Sequence, residues 1–332
     1  MKTALITGIT GQDGSYLAEL LLDHDYRVIG CYRRSSTNTL SRVQHLLNNP
    51  NFNLEEFDIT DPSGCNTIIS TYKPEEIYNL AAQSHVGTSF KQPSTTFEID
   101  TIGVINLLEA IVHFSPLSKF YQASTSEMFG LNYSIDSDGT KYQDENTELL
   151  PQSPYGVAKL ASHRMVQIYR EAYNIFGSCG ILFNHESSRR GENFVTRKIT
   201  KYIGLLVNNK ISEPLKLGNL QASRDWGHAR DYVKAMWLML QQNIPEDYVI
   251  CTGQTYTVEN FLQQAFSVAG LNYMDHIQID PALYRPAEVD YLKGRNTKAV
   301  SKLGWHPETS FTNLVEEMVT SDIQLTSSIV YV

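Results

Sequence analysis

Short apolar runs alternate with longer stretches of helical periodicity through the first half of the chain. Ala4-Leu5-Ile6 has the length of a buried strand, and Leu17, Leu20 and Leu21 then recur at helical spacing. Val28-Ile29, Leu54 to Phe57 and Ile77 to Leu80 predict three more strands. A helical stretch near Ile102 to Val112 precedes a strand at Phe120-Tyr121-Gln122-Ala123. Another helix follows Pro154, and Ile181-Leu182-Phe183 ends a further strand. Strands separated by helices pair in parallel through crossovers, so the pattern predicts a doubly wound α/β sheet.

The second half is less regular. Arg and aromatic residues fall in predicted loops around Arg189, Arg224, Trp226 and Arg285. His228 to Gln242 reads as a helix, and Tyr248 to Cys251 as a strand able to rejoin the first sheet. The expected organisation is therefore discontinuous. Residues 1–187 plus about 219–254 form a cofactor-binding domain, and about 188–218 plus 255–332 a smaller mixed α/β substrate domain. The polar stretch from Asn132 to Ser153 is long for a connection, which suggests a functional or mobile flap.

Composition narrows the class. The chain has 332 residues, 42% of them hydrophobic and 19% charged, as in ordinary globular proteins. Its net charge of −9 argues against a broad nucleic-acid or acidic-membrane surface. A phosphate ligand must then be held by a few local cations. The four cysteines, Cys31, Cys65, Cys179 and Cys251, form no Cys-x-x-Cys pair, so neither a disulfide framework nor a zinc site is expected. The opening apolar run is too short for a secretory signal, and no stretch reaches membrane-spanning length. These features predict a cytoplasmic protein, in which the Asn132-Tyr133-Ser134 triplet is a chance match. Of the nine histidines, His85 and His185 fall near the candidate site, the other seven show no close metal-ligand spacing, and no metal is expected.

Candidate chemistry begins at Thr7-Gly8-Ile9-Thr10-Gly11-Gln12-Asp13-Gly14, between the first strand and the first helix. Glycines there permit a tight turn and close approach of backbone N–H groups to a pyrophosphate, whose charge the helix N-terminus favours. This marks the sheet as Rossmann-type. After the second strand, an NAD enzyme tends to place an acid to accept from the ribose 2′-hydroxyl. Here Tyr32-Arg33-Arg34-Ser35-Ser36 offers two guanidinium groups instead, which suit a 2′-phosphate and hence NADP. Asp58-Ile59 can line the adenine, and Leu80-Ala81-Ala82-Gln83-Ser84 should run beside the cofactor.

Tyr155 and Lys159 are four residues apart and share a helical face. An ammonium and the nicotinamide charge would bring the phenol toward neutrality, making Tyr155 a base for a hydroxyl. The fifth strand leads into Thr125-Ser126-Glu127. A Thr125 hydroxyl can share the proton network. A carboxylate at Glu127 adds a base for a carbon-bound proton or an acid for a leaving hydroxyl. On these residues alone, an epimerase or reductase, a dehydratase and a non-catalytic NADP-sensing module all stay open.

Longer motifs narrow the choice. ALITGITGQDGSYLAELLL, YRRSS, YNLAAQSHVG, QASTSEMFG, SPYGVAKL, LFNHESSRRGENFVTRKI, LGNLQASRDWGHARDYV and RPAEVD resemble the GDP-mannose 4,6-dehydratase family, a branch of the extended short-chain dehydrogenases. The resemblance implies a redox-neutral hydro-lyase that makes GDP-4-keto-6-deoxy-mannose, a first step toward GDP-fucose or GDP-rhamnose. It implies that Tyr155 removes the O4 proton during oxidation at C4. Glu127 takes the C5 proton and, helped by Thr125 or Ser126, protonates the hydroxyl leaving C6, where the hydride returns. It assigns Thr125, Glu127, Tyr155 and Lys159 to catalysis, and His185 and Arg190 to the cofactor. To the substrate it assigns Ser84, Ser126, Asn184, Val195, Lys198, Leu217, Gly218, Arg224, Arg285 and Glu288, with Arg224 and Arg285 for the diphosphate and Glu288 for a hydroxyl.

The related dTDP-glucose 4,6-dehydratases carry Asp-Glu where this chain has Ser126-Glu127. One carboxylate must then act as base and acid in turn. The family resemblance also implies a homodimer or homotetramer, with residues 34–41 reaching toward a neighbour's cofactor. The stretch between Gly130 and Ser153 is longer than the family pattern, Ser94 to Phe97 lacks an expected tyrosine, and the chain ends soon after the helix around Glu316.

Overall fold

Seven parallel strands make the central sheet: β1 (Thr3–Thr7), β2 (Arg27–Tyr32), β3 (Phe52–Glu56), β4 (Glu76–Asn79), β5 (Lys119–Thr125), β6 (Phe176–Leu182) and β7 (Tyr248–Ile250). Their spatial order is β7-β6-β5-β4-β1-β2-β3. The computed structural model describes residues 1–284, 287 and 289–328. The third strand starts two residues earlier than its apolar run, because Phe52 pairs with Val28 at the sheet edge. The late strand Tyr248–Ile250 does rejoin the sheet, beside β6.

Helices cover both faces. α1 (Gln12–Asp23) lies on one. α2 (Pro62–Tyr72), α3 (Gly103–Phe114) and α4 (Pro154–Tyr173) lie on the other. Further along the chain come α5 (Val195–Val207), α6 (Ala229–Leu240), α7 (Val258–Val268) and α8 (Phe311–Ser327). α6 joins α1 over the first face through Leu17, Leu21, Val233 and Met236. On the opposite face, Ile69, Leu107, Leu108, Ile111 and Val166 are fully buried. Burying each such side chain contributes roughly 1.5–3 kcal/mol, so these apolar stripes hold the helices in place.

The ends are set locally. Pro62 follows the N-cap Asp61, whose carboxylate accepts from Ser63 N at 3.0 Å. Ser153 caps α4 by accepting from Gly156 N at 3.0 Å, again with proline next. A second core gathers Ile199, Ile203, Phe261, Phe266, Leu314 and Met318 from α5, α7 and α8.

Two expectations change. Arg224 and Trp226 sit in short strands, not loops. Ser223–Arg224 pairs antiparallel with Tyr256–Thr257, and Trp226–His228 pairs parallel with Asn184–Glu186. Elements this short carry no legible periodicity. The polar stretch 132–153 is tied down. Gln143 exchanges backbone hydrogen bonds with Lys293 and Arg295 at 2.8 and 2.9 Å, Glu145 accepts from Val249 N at 2.7 Å, and Arg295 pairs with Asp136.

Candidate active site

The carboxyl ends of β1 and β4 are joined to each other and to the middle of β5 by polar side chains. Thr7 Oγ1 donates to Asn79 Oδ1 at 2.6 Å, and Asn79 Nδ2 donates to Gln122 Oε1 at 2.8 Å. The same Thr7 oxygen accepts from Leu80 N and Ala81 N, both at 3.1 Å. The turn after β4 is thereby held against the turn after β1. Beyond these ends opens a cleft of about 950 Å³ between the sheet and the α5–α7 part.

The glycine turn fits a dinucleotide on two observations. Gly8 has φ +68°, and a Cβ there would meet Leu80 O at 2.9 Å. A Cβ on Gly14 would lie 2.5 Å from Gly8 O. The helix α1 has no side-chain N-cap, so its first N–H groups are left for a ligand. Arg42 braces this turn, donating to Thr10 O at 3.1 Å and to Arg189 O at 2.9 Å.

His185 lies beneath that turn. Its Nε2 meets Asp13 Oδ2 at 2.7 Å, its Nδ1 meets Phe183 O at 2.8 Å, and its ring stacks on Tyr232 with centroids 4.6 Å apart. Burial alone would lower the imidazole's pKa and raise the carboxyl's. Their mutual attraction and hydrogen bond outweigh it, so His185 is raised and Asp13 lowered. Arg190 pairs with Glu186 at 2.9 Å and covers the Phe194 ring at 3.6 Å.

The reacting groups come from the end of β5 and the start of α4. Thr125 Oγ1 accepts from Glu127 N at 3.3 Å, which turns the chain so that Thr125, Ser126 and Glu127 all line the cleft. Tyr155 and Lys159 line it from α4, and the lysine Nζ donates to Ala123 O at 2.9 Å. The protein's own groups do not bring the Tyr155 phenol toward neutrality. Burial raises it well above the ordinary tyrosine range and Asp100 adds to this. A hydrogen bond with Thr125 and the charge of Arg190 act the other way.

Among the candidate residues, Gly8, Thr10, Gly11, Gln12, Asp13, Gly14, Arg33, Asp58, Ile59, Leu80, Ala81, Ala82, Gln83, Ser84, His185 and Arg190 line the cleft. So do Asn184, Val195, Lys198, Leu217, Gly218 and Arg224. Arg34 does not; it lines a neighbouring pocket with Arg33, Glu55, Glu56 and Asp61 at the ends of β2 and β3. Asp58 also spends its Oδ1 on Thr60, accepting from its N at 3.0 Å and Oγ1 at 2.8 Å. Arg285 and Glu288 lie outside the described residues.

Sequence reasoning missed three contributors. Arg42 and Asp100 lie outside the quoted motifs. Asp225, within one, accepts from Thr252 N, Thr252 Oγ1 and Gly253 N at 2.8, 2.6 and 2.9 Å, pinning the strand that carries Arg224 to the end of β7. The motif around Arg224 carried a signal for Asp225; nothing marked the other two. One group with metal-ligand potential, His163, Cys179 and Asp247, occurs among the described residues. Its Asp247 is already committed to Arg170 at 2.5 Å and to Cys179 N at 2.9 Å. No described helix is long and apolar enough to cross a membrane.

Residues 5–318 match the GDP-mannose 4,6 dehydratase family. GDP-mannose 4,6 dehydratase 2 of Arabidopsis thaliana is 49% identical, over 98% of this chain and 87% of that protein. The human GDP-mannose 4,6 dehydratase is 47% identical, over 98% and 92%. Among solved structures, UDP-glucose 4-epimerase of Thermotoga maritima with UDP-glucose superposes with a TM-score of 0.85 at 26% identity, covering 97% of this chain and 99% of that one. The dTDP-glucose 4,6-dehydratase of Bacillus anthracis with NAD gives 0.83 at 21%, covering 97% and 96%, and shares the fold.

Proposed function

The chain belongs to the GDP-mannose 4,6-dehydratase family, and on that premise we propose that the cleft removes water from GDP-mannose to give GDP-4-keto-6-deoxy-mannose. The enzyme is a hydro-lyase that uses a nicotinamide dinucleotide, and NADP is the form we propose. The glycine turn and the turn after β4 would hold the pyrophosphate and nicotinamide side, with Arg33 and Arg34 nearest the 2′-phosphate. Bound there, the cofactor supplies a hydride acceptor for C4 and a hydride donor for C6.

The remaining chemistry falls to side chains. Tyr155, as phenolate, takes the O4 proton while Thr125 shares a hydrogen bond with it. The resulting 4-keto group acidifies C5–H, and the Glu127 carboxylate takes that proton. Glu127, now a carboxylic acid, passes it to the hydroxyl leaving C6. C5 then needs a proton, and the one Tyr155 took from O4 is the one left, so the count closes with both residues restored. Arg224 and Lys198, which line the cleft, would meet the diphosphate.

One observation carries this reading: Glu127 lines the same cleft as Tyr155 and Lys159. Hydride exchange at one hydroxyl needs only the latter two. Glu127→Gln should still form NADPH in a single turnover with GDP-mannose, while product release of water falls at least 100-fold, within the roughly 10²–10⁴-fold typical of general acid–base catalysis. Full turnover by this variant would instead favour an epimerase or reductase.

A further inference from the structure

Lys159 is buried, and its Nζ donates to a backbone carbonyl, Ala123 O, at 2.9 Å. That carbonyl has a second side-chain donor, Gln122 Nε2, at 3.1 Å. Its place in the sheet explains why side chains brace it. β4 ends at Asn79, opposite Gln122, while β5 runs on beside β6 to Thr125. Ala123 is thus the first residue of β5 beyond its pairing with β4.

Gln122 is fully buried, and so are Asn79 and Thr7, which continue the line. Gln122 Oε1 accepts from Asn79 Nδ2, Asn79 Oδ1 accepts from Thr7 Oγ1, and Thr7 Oγ1 accepts from Leu80 N and Ala81 N. The line runs in one direction. Both lone pairs of the Thr7 hydroxyl are engaged, so it must donate to Asn79. Asn79 then presents its oxygen to Thr7 and its nitrogen to Gln122. Gln122 in turn presents its oxygen to Asn79 and its nitrogen to Ala123 O. Each amide has one orientation that satisfies both neighbours, and a satisfied buried network is rigid. At the far end, a Cβ on Gly8 would lie 2.9 Å from Ala81 N. The turns after β1 and β4 and the anchor of the lysine therefore belong to one buried array.

From these contacts we propose that Gln122 is a positioning residue for Lys159: its amide holds the Ala123 carbonyl, and through it the ammonium, in register with the turn after β4. This role rests on the reading of Tyr155 and Lys159 as the pair that serves hydride transfer. Burial gives the hydrogen bonds their weight. An ammonium out of water is placed by the acceptors within its reach, so a carbonyl that shifts carries the ammonium with it. Gln122 makes and breaks no covalent bond and moves no proton; it acts through position alone.

Gln122→Met keeps the length of the side chain but neither donates to Ala123 O nor accepts from Asn79. In the holoenzyme it should lower kcat on the order of 10- to 100-fold, the cost of misplacing a reacting group by about 1 Å, with KM for GDP-mannose within about twofold. Coupling to Lys159 separates positioning from packing. In a Lys159→Met background the same substitution should cost less than about twofold, because the ammonium it positions is gone. An equal cost in both backgrounds, or wild-type kcat in Gln122→Met, overturns the proposal. The acid limb of kcat/KM should also move to higher pH in Gln122→Met, since a displaced ammonium supports the Tyr155 phenolate less. The other groups facing the pair are unchanged by the substitution: Asp100, on the π-helical turn Glu98–Ile102, Glu127, Arg190 and Cys179. A limb that stays in place overturns the proposal as well. If Gln122→Met does not fold, Gln122→Asn, one methylene too short to span Asn79 and Ala123 O, serves in both backgrounds. Full activity of Lys159→Met alone would sink the reading of the hydride pair, and the proposal with it. A slow Lys159→Met in which Gln122→Met still costs its full factor sinks the proposal alone.

Discussion

Tyr155 and Lys159 were legible because a spacing of four on a helix puts both on one face, and that is local geometry. Glu127 was legible because its chemistry is unusual beside such a pair. Asp100 was not, because its hydrogen-bond partner Gln83 and the Lys159 charge that it influences come from other segments, and the π-turn has no sequence signature. Tyr155→Phe should lower kcat at least 100-fold with thermal stability little changed, since general-base residues typically contribute roughly 10²–10⁴-fold. Survival of more than a tenth of the activity would remove Tyr155 from its role. The Asp13–His185 pair has a pH window. His185 is raised, so its contribution is present below 6.5 and is lost as pH rises through its folded value. Asp13 is lowered, so its contribution is present above 3.8 and is lost as pH falls through its folded value. Asp13→Asn should therefore cost most stability near pH 5 to 6 and least in alkali. Unfolding midpoints of both proteins across that range check this, and a pH-independent difference would contradict it.

At the level of elements, the strand–helix alternation was readable because parallel strands are buried on both faces and stand out as apolar runs. The short strand pairs at Arg224 and Trp226 were hidden because each spans only two or three residues. The turn at residues 188–190 depends on a distant element. Arg197 on α5 donates to the Ser188 and Arg190 carbonyls and pairs with Asp322 on α8 at 2.8 Å. Asp322 is fully buried and also accepts from Thr200 Oγ1 at 2.6 Å. Removing one partner of a buried pair costs roughly 3–5 kcal/mol. Asp322→Ala should lower the unfolding free energy by about that amount and weaken NADP binding more than it slows the bound enzyme. Denaturant titration and cofactor binding by fluorescence measure both. A loss under about 1 kcal/mol would show that the pair does not hold this turn.

For the whole molecule, the discontinuous division remains our reading of how the chain is organised. Its support is that β7 and α6 pack with the sheet while α5, α7 and α8 build a separate core. We propose self-association to a dimer or tetramer, for which exposed Phe114, Ile168 and Tyr173 on α3 and α4 would offer apolar surface, and a monomer in light scattering would contradict it. The proposed NADP preference rests on Arg33 and Arg34. Replacing both with Ala should weaken NADP binding at least tenfold, about 1.4 kcal/mol, with little effect on NAD; equal wild-type affinity for the two cofactors would end this claim. The internal hydride route is the central claim, and GDP-mannose deuterated at C4 tests it. With catalytic NADP⁺, the product should lose one water, keep the deuterium at C6 and leave no net NADPH. Accumulating NADPH, deuterium lost from the product, or a sugar nucleotide of unchanged mass would contradict it.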